Sequence, residues 1–153
     1  MGTTVTAATL TVNISESITL NGTTYDQTVT KSIASVGNVS KSIYNVIANG
    51  TSTVAEFAAT PTGTVLFDSD DLKYIRVTNL DDANAVIVNF ASESNETAAL
   101  ELPAGASAVL FEDEIAGNAG GGAETATSVI TDVFVHNAHA TQTVDVEVVI
   151  ATA

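Results

Sequence analysis

The sequence predicts an all-β protein, namely an antiparallel β-sandwich or jelly-roll-like barrel of about ten short strands. Val, Ile and Thr make up 19, 10 and 23 of the 153 residues, and their branched side chains suit a pleated sheet better than a helix. Apolar and polar residues alternate in short segments that are separated by turn-forming residues. The length and the 45% hydrophobic content suit a single core, so one domain over residues 1–153 is expected.

The first predicted element is a hairpin. Five apolar residues share one face of an extended segment: Leu10, Val12, Ile14, Ile18 and Leu20. Glu16 interrupts that face, and because an unpaired buried carboxylate is costly, we expect a bend or bulge at residues 15–17. Asn21-Gly22 follows and suits a two-residue turn with positive φ at both positions. Asn49-Gly50 repeats this signal and predicts a second hairpin.

The middle of the chain predicts a meander. Four alternating segments are predicted as its strands: residues 74–79, 85–90, 97–102 and 108–111. An acidic turn joins the first two, and Pro103 followed by Gly105 ends the third. Residues 115–126 contain four glycines and have little to bury, so a flexible loop is expected there.

The last predicted elements are two strands at residues 128–136 and 143–150, which are expected to pair and close the domain. In the second strand, Val or Ile occupies every second position from 144 to 150, and Asp145 and Glu147 lie between them. This pattern is typical of an antiparallel sheet with one face in the core and the other in solvent.

Composition excludes several functional classes. The chain has 18 acidic and 4 basic residues, a net charge of −14, whereas nucleic-acid binders need positive charge to neutralise phosphates. No apolar run is long enough for a transmembrane helix, so no membrane partner is expected. The absence of Cys excludes disulfides, thiolate metal sites and a Cys nucleophile. No cofactor motif is present, and we expect no enzymatic activity.

Two clusters were weighed as metal sites, and both are incomplete. Asp68, Asp70 and Asp71 crowd one turn as calcium ligands do, but the Gly and distal Glu of an EF-hand loop are missing. Asp also favours ordinary solvated turns, which is the preferred interpretation here and for the acidic run at residues 112–114. His136 and His139 are three residues apart, but two ligands are too few for zinc. No Gly-x-Ser-x-Gly motif supports a hydrolase.

One stretch of the chain resembles a known class of protein. The sequence Tyr-Ile-Arg-Val-Thr-Asn-Leu at residues 74–80 is followed by the strand at 85–90 and by Leu-Pro-Ala-Gly at 102–105. Over residues 73–112 this succession resembles small β-rich virion proteins of tailed phages. The resemblance implies a non-enzymatic virion protein without catalytic residues, located in the virus particle. The first expectation is a capsid decoration or cement subunit that docks on other shell proteins.

Several alternatives stay open at this point. A phage tail or fibre subunit and a cell-surface adhesin, pilus or surface-layer module are the other structural roles. A carbohydrate-binding module would need platforms among Tyr25, Tyr44 and Tyr74, and such aromatics are few. A homo-oligomer is expected because the lightly charged strands at residues 3–14 and 143–150 could add to a neighbouring sheet. The resemblance suggests a trimer, with major capsid or tail subunits as further partners.

Overall fold

The computed structural model describes residues 6–58, 67–92, 97–111, 116–118 and 127–153, and it confirms the all-β fold class. The described residues form strands and no helix. The first six strands are β1 Ala8–Leu20, β2 Thr23–Val36, β3 Asn38–Val46, β4 Gly50–Ala58, β5 Phe67–Asp68 and β6 Leu72–Asn79. The other six are β7 Val86–Ser92, β8 Thr97–Leu102, β9 Ser107–Phe111, β10 Ala116–Asn118, β11 Thr127–Asn137 and β12 Val144–Thr152. A helix able to span a membrane is not found in the described part of the chain.

The chain separates into two compact units, Met1–Gly37 and Asn38–Ala153. The first unit contains the hairpin of β1 and β2, and the second contains both sheets of a sandwich. The expectation from the sequence is a single sandwich domain over residues 1–153. In the structure the strands of the sandwich come from residues 38–153, and the N-terminal hairpin forms a sheet of its own.

The predicted hairpin is confirmed, but the predicted bend is wrong. Asn21 and Gly22 have φ values of 53° and 81°, as a two-residue turn between twisted strands requires. From Leu10 to Leu20 the register with β2 is continuous, and Glu16 lies opposite Gln27 without a bulge. Both of these side chains are exposed, so the carboxylate stays in water and no distortion is needed to remove it from a core.

The sandwich contains a four-stranded sheet in the order β3-β12-β6-β9 and a six-stranded sheet in the order β5-β4-β11-β7-β8, where β10 also pairs with β11. All neighbours are antiparallel except β4 and β5. Inward side chains of both sheets form one core. Five of its valines are completely buried: Val46, Val88, Val133, Val135 and Val146.

Most strands of the sandwich that are consecutive in sequence lie in different sheets and do not pair with each other. Asn49 has the expected positive φ of 51°, but β3 pairs with β12 and β4 with β11, so the second predicted hairpin is wrong. The predicted meander is also wrong, because β7 pairs with β8 whereas β6 pairs with β9. Turn-forming residues reverse the chain equally well within one sheet or between two, so the local sequence did not distinguish these outcomes.

The C-terminal prediction needs two corrections. β11 and β12 lie in different sheets, and β12 lies between β3 and β6, so it is not an edge strand that a neighbour could extend. Its predicted alternation is confirmed, since the Val and Ile side chains at 144, 146, 148 and 150 are buried. The loop predicted at residues 115–126 is wrong at 116–118, which form β10, and its other residues lie outside the described part of the chain.

Four connections between sheets lie at the same end of the sandwich. We call them arches, and they comprise residues 47–49, 80–85, 103–106 and 138–143. The strand register brings them together, because β12 begins beside the ends of β3 and β6. Backbone bonds also join this end: Asn49 N–H in the first arch donates to His139 O in the last at 2.8 Å, and Asn79 N–H at the end of β6 donates to Ala106 O in the third arch at 2.9 Å. We refer to this region as the arch end.

Candidate functional site

Two asparagines organise the arch end. Asn79 is the last residue of β6, Asn137 is the last of β11, and both are completely buried. Because a buried amide is costly unless its hydrogen bonds are made, its partners carry structural information. Asn79 Nδ2 donates to the carbonyl oxygens of Asn84, Leu102 and Pro103 at 2.8, 3.1 and 3.2 Å. One side chain therefore joins its own arch to the end of β8.

Asn137 performs the same task in the other pair of strands. Its Nδ2 donates to Val46 O at 3.1 Å and to Gln142 O at 2.8 Å, which joins the arch after β11 to the end of β3. Its Oδ1 accepts the N–H of His139 at 3.0 Å. In the equivalent contact, the Oδ1 of Asn79 accepts the N–H two residues further on, also at 3.0 Å. Both arches therefore start with an Asx turn.

The residue two positions after each asparagine completes its arch. Asp81 Oδ1 accepts the N–H groups two and three residues further on, at 2.9 and 2.6 Å. His139 Nδ1 accepts the N–H groups at the same two relative positions, at 3.3 and 3.1 Å. A carboxylate and an imidazole thus occupy equivalent places and make equivalent bonds.

The two arches meet at a polar cleft of about 390 Å³. Asn84 Nδ2 donates to Gln142 Oε1 at 3.0 Å across 58 residues of sequence, and it also donates to Asp81 Oδ1 at 3.1 Å. The cleft is lined by Asp81, Asp82, Ala83, Asn84, Thr141, Gln142 and Thr143. All seven lining residues therefore belong to the two arches that the buried asparagines hold.

Backbone hydrogen bonds determine the electrostatics of the cleft. Hydrogen bonds from the backbone N–H groups of Asn84 and Ala83 lower the pKa of Asp81, so this carboxyl stays ionised at neutral pH and is not a proton donor. Since His139 Nδ1 accepts two N–H groups, the neutral ring carries its proton on Nε2. Asp81 Oδ1 and His139 Nδ1 therefore both stabilise the backbone of their arches.

A second charged group lies on the outer face of the four-stranded sheet. Glu147 Oε2 accepts from Lys41 Nζ at 2.7 Å, and Glu147 Oε1 accepts from Arg76. The hydrogen bond from Lys41 is the main cause of the lowered pKa of Glu147, and Arg76 adds to it. One carboxylate therefore engages two of the four basic residues of the chain and ties β12 to β3 and β6.

The three aspartates weighed as calcium ligands lie at the turn after β5. Asp70 N–H donates to Asp68 Oδ1 at 3.0 Å, which is the local backbone contact of an ordinary Asx turn. Within the described ranges no three Asp, Glu, His or Cys side chains converge as a metal site would require, and this applies also to Asp71. The acidic run at residues 112–114 lies outside these ranges.

The histidines weighed as zinc ligands have separate structural partners. His136 lies on β11, and its Nδ1 is 3.0 Å from Thr51 Oγ1 on β4. His139 lies in the following arch. Of the tyrosines considered for sugar binding, Tyr74 is only 5% exposed and packs against Phe111 at a ring separation of 5.8 Å, so it offers no free face.

The two asparagines are not among the site residues predicted from the sequence, although the sequence contains a signal for them. Residues 77–88 and 135–146 match at a spacing of 58, with Val, Asn, Val and Val at equivalent positions. An internal comparison of the chain would have paired Asn79 with Asn137 and Asp81 with His139. The ion pairs of Glu147 carried no such signal, because they depend on which strands are neighbours.

Comparisons with known proteins add no identification. No protein-family model, no curated protein and no solved structure matches the chain.

Proposed function

We propose that the protein is a non-enzymatic structural subunit of a virus particle, and specifically a capsid decoration subunit that docks on other shell proteins. One observation carries this proposal. Of the ten large apolar side chains that are exposed in the described part of the chain, seven lie on the N-terminal hairpin or on β3, and an eighth, Ile47, directly follows β3. Concentration of exposed apolar residues on particular strands is typical of surfaces that bind other proteins.

The edge strand β3 is the surface that we assign to the shell partner. Val39 and Ile43 on β3 are 58 and 61% exposed, and Ile47, the first residue after the strand, is 63% exposed, so the three follow one another at every fourth position. Among the described strands, β3 pairs with β12 alone. Monomeric proteins often protect such edges with Lys, but Lys41 is engaged with Glu147. A strand or loop of another protein could therefore extend this sheet.

The net charge of the chain favours a different protein, and not a second copy of the same chain, as the partner at this surface. The net charge of −14 makes copies of the chain repel one another at low salt. Basic patches on a shell protein would neutralise that charge, which favours docking on a lattice over growth of a filament of this chain alone.

Mass spectrometry of purified particles tests the proposal. The protein is expected at many copies in intact particles and in tail-less capsids, whereas a tail or fibre subunit would be lost with the tails. Absence from particles at any copy number would refute a virion role, and recovery in cell-envelope fractions would favour a surface-layer or adhesin module instead.

Rebinding to particles that lack the protein tests the assigned surface. Ile43→Thr is expected to lower occupancy, because it removes an exposed apolar side chain from β3 while Thr preserves strand propensity. Ile18→Thr is the matched control for docking, since Ile18 is 58% exposed on a different sheet. Equal occupancy of the wild type and Ile43→Thr would exclude β3 as the docking strand.

A further inference from the structure

The two faces of the N-terminal hairpin differ sharply in composition. On one face every residue is Ser, Thr, Asn or Asp from the pair Thr11–Ser32 to the pair Thr19–Thr24. Their side chains bond across the strands: Ser15 with Thr28 at 3.0 Å, Ser17 with Asp26 at 2.5 Å, Thr19 with Thr24 at 3.3 Å and Thr30 with Asn13 at 2.7 Å. This face is polar throughout, is bonded across the strands at four of its pairs, and suits contact with water.

The opposite face is mainly apolar and is exposed. Its five large exposed side chains are Ile14 at 43%, Ile18, Leu20 and Tyr25 at 58%, and Val29 at 50%. A two-stranded hairpin is at best marginally stable in water unless its apolar face packs against another element. A hairpin with strands of 13 and 14 residues and one polar face therefore needs a cover on its apolar face.

We propose that the apolar face of the N-terminal hairpin packs face to face against the same face of a second copy of this chain, with both turns at the same end. The biological purpose of such a dimer rests on the proposed function, whereas the physical argument for the dimer does not.

The charge distribution favours a second copy as the occupant. Met1–Gly37 has two acidic residues and one basic residue, a net charge of −1, whereas the other 16 acidic and 3 basic residues give Asn38–Ala153 a net charge of −13. Two acidic chains can therefore approach through their hairpins with little electrostatic repulsion. A strongly basic partner would gain little from this face, since Glu16 is its only acidic residue.

The available area also fits a pair of hairpins. Five large side chains that are each about half exposed present on the order of 500 Å² of surface, so two such faces bury about 1,000 Å², which is the size that a specific interface needs. Covering both apolar faces at once turns two marginal sheets into a small four-stranded sandwich.

The orientation follows from the cross-strand register. With both turns at one end, each β1 lies over β2 of the second copy at the same level. Glu16 then faces Gln27 of the second copy, whose amide can donate to the carboxylate, and Ile18 faces Tyr25 of the second copy. With the turns at opposite ends, Glu16 would face either aliphatic side chains or Glu16 of the second copy. In the remaining alignment, the half of the hairpin near the turn would lie over Ile33, which is already buried.

Sedimentation of the full chain at several concentrations tests the pairing. The wild type is expected to be a dimer that tightens at high salt. Ile18→Thr should raise the dissociation constant at least about tenfold, because the apolar loss occurs twice in each dimer. Ile43→Thr makes the same change at a side chain of equal exposure on β3 and should leave the dissociation constant within about twofold. Val29→Thr is a second disruptive variant that keeps the shape of the side chain.

Distances between spin labels test the orientation. The chain has no Cys, so Thr24→Cys on the polar face near the turn carries the only label. With both turns at one end the labels should lie about 25 Å apart, because packed sheets are about 10 Å apart and both labels point outward. With the turns at opposite ends, the separation would approach the length of a 13-residue strand, about 40 Å.

Three results would overturn the inference: a monomer at all concentrations in low and high salt, a trimer or larger species, or equal weakening by Ile18→Thr and Ile43→Thr. Label distances of about 40 Å would overturn the stated orientation. These failures are distinct from failure of the virion role, which depends on the presence of the protein in particles and on β3. A dimer that is absent from particles would leave the hairpin pairing intact and refute the virion role.

Discussion

Replacing Asn79 by Ala is expected to destabilise the sandwich strongly. The substitution removes three hydrogen bonds to the carbonyl groups of Asn84, Leu102 and Pro103 and one that the amide oxygen accepts from Asp81. Each bond contributes about 1 kcal/mol net, and each buried group left unpaired costs about 1–3 kcal/mol. Since water can reach part of the arch, we expect the free energy of unfolding to fall by roughly 3–5 kcal/mol.

Equilibrium urea unfolding followed by far-ultraviolet circular dichroism measures this loss, and two variants calibrate it. Asn137→Ala removes an amide that donates to two carbonyl groups and should cost roughly 2–4 kcal/mol. Asn89→Ala is the matched control, because Asn89 is half-buried on β7 and donates a single bond of 3.4 Å, so its loss should cost less than about 1 kcal/mol.

The variant Asn79→Asp provides a separate test of the same geometry. The new carboxyl faces three carbonyl oxygens in a buried site, so its pKa in the folded state is raised above the unfolded value of about 3.9. Relative to the wild type, the variant should therefore be least destabilised at low pH and lose stability as the pH rises through the raised pKa. A cost below about 1 kcal/mol for Asn79→Ala, or an absence of this pH dependence in Asn79→Asp, would refute the reasoning.

Three further predictions concern other parts of the molecule. Asp81 and Glu147 have lowered pKa values in the folded state, so both carboxylates stabilise the fold above their ordinary pKa values of 3.8 and 4.5, and this stabilisation is lost as the pH falls below those values. Glu147→Gln should therefore flatten the acid limb of a plot of melting temperature against pH. Gly22→Ala should destabilise the N-terminal hairpin by about 1 kcal/mol for its φ of 81° alone, since nothing lies within 4 Å of the added Cβ, and hydrogen exchange of the hairpin amides measures this. Millimolar calcium should leave the melting temperature unchanged, and a rise of several degrees that Asp70→Ala abolishes would contradict this expectation.

The first hairpin was predictable because its signal is local. Asn21-Gly22 supplies the two positive φ values, and the alternation on both sides fixes the register once the turn is set. The bend predicted at Glu16 is wrong because the prediction assumes a buried face, whereas Glu16 is exposed in the structure. The fold class was also predictable, since branched side chains and regular turns recur along the whole chain.

Strand pairing in the sandwich was not predictable in the same way. Asn49-Gly50 resembles Asn21-Gly22 in sequence, but in this second pair Asn49 has a positive φ and Gly50 does not. The N–H of Asn49 donates to the backbone oxygen of His139 in the arch after β11. The partner of each strand depends on contacts between residues far apart in sequence. The amide network of Asn79 and Asn137 belongs to this category, although the repeat at a spacing of 58 residues was visible.

The position of β12 between β3 and β6 has a consequence for the order of folding. β12 follows both neighbours in the chain, so a ribosome releases β3 and β6 before the strand that joins them exists. The hairpin of β1 and β2 needs only local contacts and can form within about 1–10 μs, whereas the sheet around β12 must close loops of roughly 70 to 110 residues and is slow. During synthesis the edges of β3 and β6 stay available to other chains, which makes this interval the time of greatest risk of aggregation for the protein.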